Sequence, residues 1–193
     1  VEWNKTKINL IDTPGIGNFM SDTRAALRVA DAAIVVVDAV SGVEVQTEKV
    51  WSIAEELGLP CLVVLNLLDR ERASLDRSLE SLHGSLGRTV VPIQTPIGSE
   101  KDFSGLVDLV GMKSISFSLD KSGTATNGEV PETLSEQATK AREALVEMVA
   151  EADDSLMEKF FEEGTLSQED LETGLKQATT AREIFPLVCT SAH

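Results

Sequence analysis

Three nearly continuous apolar runs constrain the fold of this chain more than any other feature. They are Ile8-Asn9-Leu10-Ile11, Ala33-Ile34-Val35-Val36-Val37 and Cys61-Leu62-Val63-Val64-Leu65. A strand with one wet face alternates apolar and polar residues, whereas unbroken β-branched runs suit parallel strands covered on both faces. Helical patterns separate the runs. From Gln46, the residues Val50, Ile53, Ala54 and Leu57 fall on one helix face, and Gly58 supplies a C-terminal stop. Leu75, Leu79, Leu82 and Leu86 repeat as a second stripe. Strand and helix in alternation specify an α/β fold with a mostly parallel sheet.

The pattern changes near Thr89. Residues 89–97 and 112–119 read as short strands, broken by Pro92, Pro96, Gly98 and a polar loop at 98–105. Asp120 to Gly128 reads as an exposed loop. Pro131 then fits a first helical position, with Leu134, Ala138, Ala141, Leu145, Met148 and Ala152 along one face. A short helix around Leu156 to Phe161 stops at Gly164, and Ser167 with Asp170 resembles a capping box for a helix through Ala178. Phe185-Pro186-Leu187-Val188-Cys189 reads as a strand returning to the first sheet. Residues 1–89 and 184–193 then belong to one domain, with 90–183 an inserted α+β subdomain.

The ends of the apolar runs carry the chemistry. Asp12-Thr13-Pro14-Gly15 follows the first run, Asn66-Leu67-Leu68-Asp69 the third, and Ser191-Ala192 the last strand. Ligands of open α/β sheets bind at the carboxyl ends of strands. Asp12 there can hold Mg²⁺ through water, and the Gly15 N–H can approach a phosphate oxygen closely. Taken alone, the tetrapeptide reads equally well as a strand ending in a Pro-Gly turn. Asn66-x-x-Asp69 alone is weak, since that spacing arises often by chance, but after a buried strand it suits a guanine edge: the Asp carboxylate accepts from the ring N–H and exocyclic amine, which adenine cannot supply. Ser191-Ala192 would offer backbone N–H to guanine O6. No Gly-x-x-x-x-Gly-Lys-[Ser/Thr] loop occurs in the sequence. The chain, which begins at Val1, is therefore expected to be the later part of a longer nucleotide-binding domain.

Other residues carry less. His83 reads as a surface or flanking residue of its helix, His193 is the final residue, and Trp3 and Trp51 read as packing anchors. Cys61 and Cys189 lie in different strands with an expected stagger of about three residues, roughly 10 Å, too far for a disulfide. Both suit buried thiols of a reducing cytoplasm. The net charge of −15 is uneven, with fourteen carboxylates between Glu129 and Glu172 opposed only by Lys140, Arg142 and Lys159. Such a surface disfavours nucleic acid. It reads as a solvated helix face or as a docking face for a basic protein. No run approaches the ~20 residues needed to span a bilayer.

The chain resembles translational GTPases of the elongation factor G family, over essentially its whole length. The resemblance rests on Asp12-Thr13-Pro14-Gly15, on Asp38-Ala39-Val40-Ser41-Gly42-Val43 with Gln46-Thr47-Glu48, and on Asn66-x-x-Asp69 followed by Arg70. It continues through Pro92-Ile93-Gln94, Pro96-Ile97-Gly98, Asp102-Phe103-x-Gly105-x-Val107-Asp108-Leu109 and Ala150-Glu151-Ala152-Asp153-Asp154. It implies a P-loop GTPase-type sheet, here partial, carrying the subdomain that elongation factor G inserts. It implies GTP or GDP with Mg²⁺ as ligands and Mg²⁺-dependent GTP hydrolysis by the full-length protein. This isolated chain is not expected to be competent.

Carried over residue by residue, Asp12 is the magnesium-water ligand, Gly15 the γ-phosphate contact, and Asn66, Asp69, Ser191 and Ala192 the guanine contacts. Thr13, Pro14, Ile16, Leu67 and Leu68 complete the nucleotide-binding segments. Two positions depart from the family. Ile16 stands where a water-positioning His is usual, leaving the catalytic residue unassigned, and Leu67 stands where a Lys stacks over the base. The resemblance also implies a cytoplasmic protein acting on the ribosome, with the stalk protein as partner of the acidic segment. The alternative is a degenerate GTP switch or a ribosome-docking module without efficient hydrolysis.

Overall fold

The structure is a computed structural model that describes residues 1–117 and 124–192. It opens on a small antiparallel hairpin of β1 (Glu2–Trp3) and β2 (Thr6–Lys7). Val1 and Ile8 extend it by exchanging two backbone hydrogen bonds, of 2.8 and 2.9 Å. Here the first expectation fails. Residues 8–11 form no parallel strand, and Leu10 is 69% exposed. A strand needs a neighbouring edge for its N–H and C=O groups, and among the described residues 9–11 have none. Asp12 consequently follows exposed chain, not a buried strand. Trp3 is also exposed, at 69%, so it anchors nothing.

After a 3₁₀ turn at Gly17–Phe19 comes α1 (Met20–Leu27), a helix the hydrophobic pattern did not reveal. Then follow β3 (Ala33–Asp38), α2 (Val45–Glu56), β4 (Cys61–Asn66) and α3 (Leu75–Leu86). Gly58, at φ +70°, ends α2 as its spacing predicts. The Ser74 side chain caps α3 by accepting from the Arg77 N–H. β5 (Val90–Pro92) closes this half.

A second sheet follows: β6 (Gln94–Ile97), β7 (Gly105–Asp108), β8 (Lys113–Phe117) and β9 (Ala125–Gly128), all antiparallel in sequence order. The expected loop at 98–105 is shorter than foreseen, because Gly105 already pairs with Ile97. The expected loop at 120–128 is partly strand. All four β9 residues are exposed, so no apolar alternation marked them. The remaining expectations for 118–123 lie outside the described residues.

Three helices complete the middle of the chain. These are α4 (Glu132–Glu151), α5 (Asp154–Glu163) and α6 (Gln168–Ala181). Pro131 sits just outside α4, at its N-cap. Asp153 caps α5 by accepting from the Ser155 and Leu156 N–H groups, and Ser167 caps α6 by accepting from Asp170. Gly164, at φ +73°, ends α5. Val149, Leu145, Leu171 and Ile184 are fully buried in the core that binds these helices to Val107 and Leu109 of β7 and its turn. Such side chains each contribute about 1.5–3 kcal/mol by leaving water.

β10 (Phe185–Cys189) returns to the first sheet, which runs β3-β4-β10-β5 with every pair parallel. Val63, Leu65 and Leu187 are buried where α2 and α3 cover one face. The other face is open at β3, where Ile34 and Val36 are 58% and 59% exposed. The expectation of strands covered on both faces therefore fails at this edge. Cys189 lies opposite Leu65, four residues beyond Cys61 rather than three, and both thiols are free and buried.

Candidate functional site

β4 and β10 run side by side and end together, which brings the two segments that follow them into contact. Cys189 pairs with Leu65, and the ladder's last bonds are Thr190 N–H to Leu65 O at 2.9 Å and Leu68 N–H to Thr190 O at 3.4 Å. Beyond β4 the chain reverses at Leu67, whose φ of +66° is left-handed. A non-glycine residue there costs on the order of 1–3 kcal/mol, which the surroundings must offset. Leu68, only 3% exposed, anchors the turn in the core beneath it.

Two long-range hydrogen bonds then join the loops. Ser191 Oγ donates to Asp69 Oδ1 at 2.5 Å, and the Ala192 N–H donates to Asn66 Oδ1 at 2.9 Å. Four residues selected from sequence thus meet directly, although 122 and 126 positions separate the bonded pairs. One detail differs from expectation: the Ala192 N–H proposed for a ligand oxygen is engaged by Asn66. Asn66 also holds β3, since its C=O accepts from the Ala39 N–H at 2.9 Å. The cluster brings amide, carboxylate, hydroxyl and backbone groups together at the adjoining ends of β4 and β10.

The segment Asp12–Ile16 is not joined to this cluster by any hydrogen bond among the described residues. Its fixed point is Pro14, whose C=O accepts from the buried Thr23 hydroxyl of α1 at 3.4 Å. Asp12 and Gly15 are exposed, and a Cβ at Gly15 would meet no atom within 4 Å. Ile16 is 65% exposed at the start of the 3₁₀ turn. Gly17 differs from Gly15, because a Cβ there would collide with the Gln46 side chain. Gln46 Oε1 is itself buried, with no hydrogen-bond partner among the described residues.

No group of three or more His, Cys, Asp or Glu side chains among the described residues could hold a metal ion unaided. Asp12 fits Mg²⁺ only as one ligand of an ion held mainly by water and phosphate oxygens, the usual arrangement for that cation. His83 is structural: its Nε2 lies 2.9 Å from Val90 O, tying α3 to β5. Trp51 is buried and meets Phe185 edge to face at 4.7 Å, as a packing anchor should. Burial raises the Cys61 thiol to about 11, with Glu55 adding to it, and the Cys189 thiol to about 12. Neither is a nucleophile at neutral pH. His193 lies outside the described residues.

Sequence reasoning missed two residues that support the cluster. Gln94 Oε1 accepts from the Cys189 N–H at 3.1 Å, two residues before Ser191. Glu100 Oε1 accepts from the Arg72 N–H at 2.7 Å, three residues after Asp69. The available signal was the pair Pro92-Ile93-Gln94 and Pro96-Ile97-Gly98, but nothing local says what such segments touch.

Two comparisons bear on this geometry. A family model described as "Elongation factor Tu GTP binding domain" matches residues 1–193. Among solved structures, a crystal structure of a Thermus thermophilus protein is similar at 33% identity with a TM-score of 0.89. The match covers 99% of this chain and 28% of that one, so the chain spans about a quarter of its length.

Proposed function

The chain belongs to the elongation factor Tu GTP binding domain family, and from that premise we propose that it is the guanine-reading part of an elongation factor G-like ribosomal GTPase. The observation that carries the proposal is the meeting of Asn66, Asp69, Ser191 and Ala192 at the adjoining ends of β4 and β10. Asp69 accepts from the guanine ring N–H and amine, Asn66 orders the loops, and the Ser191-Ala192 backbone faces O6, the Ala192 N–H exchanging its bond to Asn66 for one to O6 as the base enters. Leu68 holds the turn from below, and Leu67 covers the base by apolar contact alone. Adenine offers that carboxylate neither a ring N–H nor an amine at the same edge, which is how such a site discriminates.

Asp12, Thr13, Pro14, Gly15 and Ile16 form the phosphate-side segment, with Asp12 toward Mg²⁺ and the Gly15 N–H toward the γ-phosphate. When bound, Mg²⁺ supplies charge neutralisation of the phosphates. On this proposal the phosphate cradle, for which the sequence has no Gly-x-x-x-x-Gly-Lys-[Ser/Thr] loop, is supplied by a strand and helix that are not among the described residues. The open edge of β3, the exposed Ile34 and Val36, and the run at 9–11 without a partner strand among the described residues support this reading. One parallel strand between them, followed by a helix, would satisfy both edges and cover the apolar face.

Residues 90–183 act as the inserted subdomain of elongation factor G type, between the segments 1–89 and 184–193. Its acidic helices suit a basic face of the ribosomal stalk protein. A second reading, a switch with little hydrolysis, draws on one observation: Ile16 is apolar and exposed where a water-positioning group is expected. Hydrolysis of GTP by the full-length protein, with and without ribosomes, tests both. Ribosome-stimulated hydrolysis supports the first reading. GTP binding without stimulated hydrolysis supports the second, and no guanine-nucleotide binding overturns both.

A further inference from the structure

The second sheet leaves the first at one place, and its departure is built into the candidate site. β5 follows β10 as far as Pro92, which pairs with Leu187, and the Ile93 N–H still donates to Leu187 O at 3.0 Å. The backbone then turns away into β6. The next donor on that side of β10 is the Cys189 N–H, and the Gln94 side chain takes it at 3.1 Å. Gln94 thus replaces the ladder bond that the diverging backbone no longer supplies. The bonded N–H lies just ahead of the Thr190-Ser191-Ala192 segment.

A second tie comes from the turn after β6. Gly98 has φ +80°, and a Cβ on it would collide with the Asp102 carbonyl oxygen, so only glycine permits this tight loop. The loop presents Glu100, at φ +51°, whose carboxylate accepts from the Arg72 N–H at 2.7 Å. Arg72 is itself left-handed, at φ +68°. Two non-glycine residues held in this conformation and joined by one bond mark a contact that the surroundings enforce. It lies at the end of the loop that begins with Asn66.

We propose that Gln94 and Glu100 are positioning residues, each holding one of the two base-reading loops, so that the second sheet sets the spacing between Asp69 and Ser191. This rests on the guanine reading above. It gives Pro92-Ile93-Gln94 and Pro96-Ile97-Gly98 a physical role: the first supplies the acceptor for β10, the second the loop that carries Glu100. Displacing β6 relative to β10 moves both loops at once.

The test uses this chain and four variants, Gln94→Met, Gln94→Glu, Glu100→Ala and Glu100→Gln. Gln94→Met keeps the side-chain volume but removes the acceptor, whereas Gln94→Glu and Glu100→Gln keep an acceptor oxygen. Amide exchange followed by NMR reads the Ala192 N–H, which neither Gln94 nor Glu100 touches. Gln94→Met and Glu100→Ala should each speed its exchange about fivefold, as expected for loss of one hydrogen bond passed along a short network. The rise should exceed what any fall in the urea midpoint accounts for, and the acceptor-keeping variants should restore the wild-type rate. The shift of loop amides on adding GMP, relative to AMP, should fall in parallel.

An unchanged Ala192 rate overturns the proposal, as does a change that merely follows global stability. A wild type that responds equally to GMP and AMP overturns the guanine reading instead. The exchange rates then still decide whether Gln94 and Glu100 hold the loops.

Discussion

The Ala192 N–H donates to Asn66 Oδ1 over 2.9 Å, so the loops after β4 and β10 are tied together directly. Ser191 and Asp69 add a second tie. On the guanine reading proposed above, a base entering here would exchange hydrogen bonds with groups already ordered, which lowers the entropy cost of binding. Asn66→Ala removes the acceptor and leaves the Ala192 N–H to water. Exchange of that amide should rise roughly five- to tenfold, and stability should fall by about 1 kcal/mol. Urea unfolding and NMR exchange check both; unchanged exchange would show that the bond contributes nothing.

Two glycines should respond in opposite directions to the same substitution. At Gly174 in α6, a Cβ would come within 2.5 Å of Leu156 Cδ1 and 2.8 Å of Val149 Cγ1. Gly174→Ala should therefore destabilise by about 1–3 kcal/mol, outweighing a helix-propensity gain of about 1 kcal/mol. At Gly84 in α3, no atom of the described residues other than its own helix backbone and chain neighbours lies within 4 Å of the added Cβ. Gly84→Ala should stabilise by about 0.5–1 kcal/mol. Urea midpoints of the two variants should move apart, and a shift of both in one direction would contradict the packing described.

The cysteines give stability a pH dependence. A free thiol titrates near 9.0, whereas burial raises Cys61 to about 11 and Cys189 to about 12. As pH rises above 9 the unfolded chain releases protons that the folded chain retains. Their contribution is complete below pH 9 and is lost as pH climbs through 11 to 12. Wild type should lose stability faster across this window than a Cys61→Ala, Cys189→Ala double variant. Parallel profiles would mean that the thiols ionise freely in the folded protein.

On the function proposed above, Ile16 should limit the chemical step in the full-length protein. A side chain that orients an attacking water must donate or accept a hydrogen bond, which isoleucine cannot do. Ile16→His should raise single-turnover hydrolysis on ribosomes by as much as ~10²–10⁴-fold, with GTP affinity unchanged. Equal rates would assign water positioning elsewhere.

Legibility from sequence followed the reach of each signal. β3, β4 and β10 carried unbroken apolar runs, and the segments that follow β4 and β10 could be named because strand ends are where ligands gather. The helix stops at Gly58 and Gly164 and the Ser167 cap were equally local. The run at 8–11 misled because its composition says what a strand needs, not whether a partner edge is present. β9 was missed because an edge strand with four exposed residues has no apolar face to display. The Gln94 contact spans 95 residues and depends on two sheets diverging at one point, which no periodicity encodes.

The guanine reading itself is tested most directly by titrating the isotopically labelled chain with GMP and, separately, AMP, while following backbone amides by NMR. With no Gly-x-x-x-x-Gly-Lys-[Ser/Thr] loop in the sequence, binding should be weak, with a Kd near or above about 1 mM, so concentrations of about 10 mM are needed. GMP should shift the amides of Asn66, Leu67, Leu68, Asp69, Ser191 and Ala192, and AMP should leave them nearly unmoved. Equal shifts from both nucleotides, or GMP shifts confined to other parts of the chain, would contradict the account.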